Sequence, residues 1–281
     1  EESSFGSGIE ISVGIETGGR EVLSCAELTL PLAIAVAMER YDAEFIREYE
    51  YFVRRYLEKC RLPFAVIQEN AVVKNTNQLS DCFIGRYARI DGATLLENTT
   101  VLSSEDEPVE VSHGAVVRNS CLQWGVHVTT HSIVESTLLL EHSHVERHGK
   151  ATHSIIGPNS GVAEGEITSS LVGPFVGFHH QALLIAATWP EGKGNVGYGA
   201  NVGSNHTGKA PDQEIMCGEG LFFGLGVNIK FPADYSDSPY SIIATGVDTL
   251  PQRVEFPFSL INKPSITFPG LSSAHNEILP G

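Results

Sequence analysis

VVRNSCLQWGVHVTTHSIVESTLLL, residues 116–140, is the stretch that decides the fold. Val116, Leu122, Val128, Val134 and Leu140 recur in it at intervals of six. The same interval joins Ile67, Val73 and Leu79, then Ile84, Ile90, Leu96 and Leu102, and later Val196 and Val202. Four positions after many of these stands a smaller residue, among them Ala71, Ala88, Thr94, Thr100, Ser120, Ser132 and Ala200. A period of six fits neither an isolated helix nor an exposed strand. It is the signature of a parallel β-helix.

Each hexad supplies one short side and one corner of a three-sided coil, with the aliphatic residue inside. Three hexads close a turn, so residues about eighteen apart are expected to stack at roughly 4.8 Å. One coil cannot bury its own apolar side, whereas stacked coils share a continuous core. Glycines such as Gly114 and Gly125 suit the corners. A sandwich of short strands does not hold so strict a register.

With 281 residues, 42% of them hydrophobic and 19% charged, the chain has the composition of a soluble folded protein. No apolar run approaches the roughly 18 residues of a membrane span, and Leu28 to Met38 is too short. A net charge of −16 argues against nucleic acid as a partner. Five cysteines with no C-x-x-C pair point to reduced thiols and a cytoplasmic protein. The first residue is Glu1 rather than Met, and no targeting pattern follows it, so the chain is expected to begin inside a longer protein.

Residues 1–30 are assigned to a first coil or strands, with Ile9, Ile11, Val13 and Ile15 alternating. Residues 31–61 are assigned to one inserted amphipathic helix. Ser24 and Glu27 form a candidate capping box, and Pro31 suits an early helical position. Phe45, Ile46, Tyr49, Phe52, Val53, Tyr56 and Leu57 make a stripe expected to lie on the solenoid. Residues 62–281 are the solenoid itself, with excursions at 103–108, 146–153, 189–195 and 208–214 and a Gly- and Pro-rich C-terminal cap. Loops leaving a solenoid often gather on one face and build its site.

The hexads and loops together resemble the left-handed β-helix superfamily of hexapeptide-repeat proteins. GIEISVGIETGGREV (Gly8–Val22), GNVGYGANVGSNHTGKAPDQE (Gly194–Glu214) and SPYSIIATGVDTLPQRVEFPFSLI (Ser238–Ile261) more closely resemble a bacterial domain family of unknown function, whose members extend further at both ends. The superfamily resemblance implies a left-handed parallel β-helix, homotrimeric assembly and sites between subunits. It also implies acyl transfer from acyl-CoA or acyl-carrier protein as the commonest activity. No resident cofactor is implied, with acetyl-CoA as the candidate co-substrate.

His206 is the first candidate base, because it replaces the small residue expected four after Val202. Asp212 is placed to orient it, and Asn205 to hold an amide or carbonyl. His180 or His179 is expected to share its groove, but not both, since neighbours in a strand point opposite ways. Lys193, Lys209, Lys230 and Arg253 are scarce positive charges, and by analogy with the superfamily they would meet coenzyme A phosphates. His113, His131 and His148 are spaced for a vertical ladder of corner histidines, and no metal site is assigned to them. Cys217 has no partner base and is expected to be buried. No P-loop, GxGxxG helix entry, G-x-S-x-G or HExxH occurs.

The leading expectation is acyl transfer to a small-molecule acceptor, a sugar or sugar nucleotide. The first alternative is a non-catalytic, trimerising or regulatory module of a larger nucleotidyltransferase-like protein. The second is a metal-dependent hydratase of the γ-carbonic-anhydrase type.

Overall fold

A computed structural model describes residues 5–16, 18–203, 214–272 and 274–281. Within them, short strands from Val66 onward stack in parallel as the three sides of a solenoid. The first side is a single sheet of 12 strands, with Val72–Lys74 at one edge and Glu277–Leu279 at the other. The second and third sides are joined in the early coils by seven-residue strands that turn the corner between them: Gln78–Ile84, Leu95–Val101 and Val116–Leu122.

The coil is shorter than the hexads predict. His127 pairs with His144 and His144 with Gly161, steps of 17 residues rather than eighteen. The inward side chains Val128, Val134, Leu139 and Val145 show where the missing residue goes, since the third side takes five. Leu122, Val128 and Val134 are fully buried as expected, but Val117 rather than Val116 faces the core, and Leu139 rather than Leu140. No register is lost at 146–153, where Lys150 pairs with Glu166 and Ile155 with Leu171.

A stack of hydroxyls explains the short side. At the corner between the second and third sides, the middle coils turn through one left-handed residue, such as Ser136, His153 or Ser169. A buried Ser or Thr follows. Thr137, Ser154 and Ser170 each donate to the carbonyl two residues back, over 2.7–2.8 Å. In turn Ser120, Thr137, Ser154 and Ser170 accept the backbone N–H of the next coil, that of Thr137, Ser154, Ser170 and Ala187 respectively. The hydroxyl satisfies groups that an extra residue would otherwise have to satisfy.

The N-terminal part lies outside the solenoid. Strands β1 (Ser7–Ser12) and β2 (Glu21–Cys25) form an antiparallel hairpin. Ser24 is therefore a strand residue, bonding to the Ile9 carbonyl, and not a helix cap. Two helices follow in place of the single one expected. Helix α1 (Leu30–Met38) has Pro31 in its first turn. Helix α2 (Ala43–Cys60) begins anew because the Asp42 carboxylate accepts from the Glu44 and Phe45 amides.

Tyr49, Val53 and Leu57 of α2 are buried, while Phe52, expected in the same stripe, is 58% exposed. Hairpin and helices cover the outside of the third side, against Cys121, Leu138, Leu140, Ile155 and Leu171. Buried Gln123 fastens the two layers, its amide donating to the carbonyls of Ala26 and Leu28 at 2.9 and 3.0 Å. Among the described residues, no helix is long and apolar enough to cross a membrane.

Candidate functional site

The first side carries a dent. Its outward column reads His127, His144, Gly161, Gly177, Asn195 and Phe222 on successive coils. The two glycines leave a floor without side chains, three coil steps or about 14 Å from His144 to Asn195. The resulting concavity has a volume of about 560 Å³ and is walled by His144, Arg147, Phe175, His179, His180 and Asn195. Phe175 stands at the rim, 59% exposed.

His144 leans across the floor. A Cβ on Gly161 would lie 2.0 Å from its Nε2, so this glycine is fixed by close approach of the ring. Burial pushes the His144 imidazole below the ordinary histidine range, with the charges of His127 and Arg147 acting the same way and Glu146 opposing. His179 lies 3.0 Å from the Asn195 amide nitrogen through its Nε2. An amide nitrogen only donates, so His179 accepts there and carries its own proton on Nδ1. The Asn195 oxygen is buried and has no partner among the described residues.

His180 Nδ1 is hydrogen-bonded to the Glu164 carboxylate. Both residues lie at the corner between the first and second sides, where Glu164 and Gln181 are left-handed. The carboxylate holds the Nδ1 proton and leaves Nε2 as the acceptor, the arrangement of an oriented general base. Both His179 and His180 line the dent, contrary to the expectation that only one would. Strand Gly177–Phe178 ends before them, so strict alternation no longer applies.

Asn205, His206, Lys209 and Asp212 lie outside the described residues. The three described basic candidates do not converge. Lys193 is bound to Glu219, which raises the lysine and lowers the carboxyl. Arg253, on the third side, is held among Asp234, Asp237 and Glu255. Lys230 follows strand Asn228–Ile229 of the second side, its backbone N–H donating to Thr249.

His131 and His148 do stack, with ring centroids 5.6 Å apart and planes 9° from parallel. Among the described residues, no three His, Cys, Asp or Glu side chains converge as a metal site. Cys217 is buried, and burial raises its thiol well above the usual range.

The sequence reading missed Glu164, His144 and the glycine floor. A signal was present, since Gly161 and Gly177 stand sixteen apart, and His144 and His127 seventeen from their coil neighbours. Turns of sixteen to eighteen residues place His144, Gly161, Gly177 and Asn195 in one column, with Glu164 at the corner beside it.

Among known proteins, the chain is similar to a protein of Treponema pallidum (strain Nichols) named only "Uncharacterized protein", with 26% identity over 247 residues. That alignment covers 88% of this chain and 34% of the relative, so the chain spans about a third of the relative's length. The profile of one family matches residues 1–263, nearly the whole of the hairpin, helices and solenoid, and the chain belongs to that family, Domain of unknown function (DUF4954).

Proposed function

We propose that the chain is an acyltransferase of the hexapeptide-repeat type, moving an acyl group from a coenzyme A thioester to a hydroxyl or amine of a sugar or sugar nucleotide. The observation that supports this reading is the His180–Glu164 pair on the wall of the dent. The acceptor lies on the glycine floor, with its ring against Phe175 and its polar groups toward Asn195 and His179. His180 Nε2 takes the acceptor proton as the acceptor heteroatom attacks the thioester carbonyl. Glu164 stabilises the imidazolium. Collapse of the tetrahedral intermediate breaks the C–S bond, and the departing thiolate receives the proton from His180. His206 is the rival base, with Asp212 and Asn205 as its companions.

Thiol release from acetyl-CoA over a panel of amino sugars tests the reading. His180→Ala is expected to lower kcat by roughly a hundred- to ten-thousandfold, with His206→Ala less affected. The reverse order transfers the role to His206. A wild-type chain that neither binds coenzyme A nor acylates any acceptor overturns the proposal.

A second reading is a non-catalytic, laterally assembling module. It is favoured by the apolar strip beyond the dent, where Ile242 is 46% exposed and Tyr240 and Phe258 stack at 5.7 Å. Light scattering on Ile242→Asp, together with a thermal-shift screen against nucleotides, separates it from catalysis.

A further inference from the structure

The two ends of the solenoid differ. At the C-terminal end the antiparallel strand Glu277–Leu279 closes the first side, and Ile278 packs on the core. At the other end the first coil consists of Val66–Ile67, Val72–Lys74 and the first half of Gln78–Ile84. Among the described residues, each of these pairs only with the coil that follows it. Its inward residues Ile67, Val73 and Leu79 sit opposite Ile84, Ile90 and Leu96. The latter three are fully buried, whereas Ile67 is 53% and Val73 36% exposed. Among the described residues nothing pairs with the outer edge of these strands, and their inward residues lack a coil on top. A solenoid normally ends in a polar capping repeat.

The rim of this end is electrically quiet. It carries Gln68, Asn70, Asn75, Thr76, Asn77 and Gln78. Two of its charged residues are paired within the chain, Glu69 with Arg86 at 3.2 Å and Lys74 with Asp91 at 3.0 Å. In a chain of net charge −16, this is a surface on which a second copy meets no net repulsion.

We propose that two copies of this chain join end to end through their first coils. A single added strand would cover one side of three, whereas another coil matches all three edges and closes the lumen. About a two-fold axis perpendicular to the solenoid, one side meets its own counterpart and the other two exchange. Strands then run antiparallel across the junction, and the aliphatic column continues from one copy into the next. This junction is independent of the acyl-transfer reading and of any lateral assembly.

Light scattering on the 281-residue chain tests it, with circular dichroism and thermal melting confirming the fold of each variant. The wild type should have twice the mass of Val73→Asp, because the substitution places an unpaired carboxylate in the junction. The dissociation constant should rise roughly a hundredfold. Asn77→Lys with Gln78→Lys adds like charge to both rims without touching the core, and should weaken the pair about tenfold, less so in high salt. Equal masses for wild type and Val73→Asp overturn the proposal. So does a mass that halves on Ile242→Asp but not on Val73→Asp.

Discussion

His144 lies across Gly161 of the next coil so closely that the glycine leaves no room for a methyl group. The contact shapes the floor of the dent and shields part of the imidazole from water. Gly161→Ala should drive the ring off the floor. Proton NMR titration should then show His144 moving back up toward the ordinary histidine pKa, since loss of burial removes the main cause of its depression.

The same depression makes stability depend on pH. His144 binds its proton less readily folded than unfolded, so its contribution is complete above the ordinary value of 6.5. It is lost as pH falls from there through the lower folded value. Urea unfolding midpoints measured across this interval should decline with falling pH, and His144→Asn should flatten the decline.

Ser154 links three coils' worth of backbone by donating to the Thr152 carbonyl and accepting from the Ser170 amide, while its own amide donates to Thr137. Ser154→Ala leaves the buried Ser170 amide without its acceptor, while the Thr152 carbonyl keeps the Ser169 amide. Equilibrium unfolding should register a loss of about 1–3 kcal/mol. Ser154→Thr should recover most of it.

Leu138 is wholly buried between the third side and the helical layer. Leu138→Ala should cost about 2–5 kcal/mol. Hydrogen exchange should locate the damage in α2 and the hairpin, and leave the coils beyond Trp189 unchanged.

Glu164 positions His180 and is not assigned to touch the acceptor. If acyl transfer is the activity, Glu164→Gln should lower kcat with little change in KM, and Glu164→Asp should restore part of it. Steady-state kinetics on the best acceptor of the amino-sugar panel makes the comparison.

The solenoid was legible because its inward aliphatic residues recur at five- or six-residue steps through the early and middle coils. The shorter third side was also visible, in the five-residue step from Leu79 to Ile84 between two runs of six. Strict hexads carried the reading one residue too far, to Leu140 and Leu102. Those residues are apolar for another reason, since they face the helical layer and not the lumen. Doublets such as Ile155–Ile156 and Leu171–Val172 mark strands buried on both faces, which no single-period count separates. The Glu164–His180 pair lay beyond reach for a different reason. It joins residues sixteen apart across a corner, and its register follows only from the true length of the turn.

A solenoid built only of neighbouring contacts has no centre around which to fold. In this chain the hairpin and helices supply one, because they rest on Cys121, Leu138, Ile155 and Leu171, each from a different coil. They act as a splint that binds four rungs into a single cooperative block. Folding should therefore start in these splinted rungs and spread toward both ends of the tube.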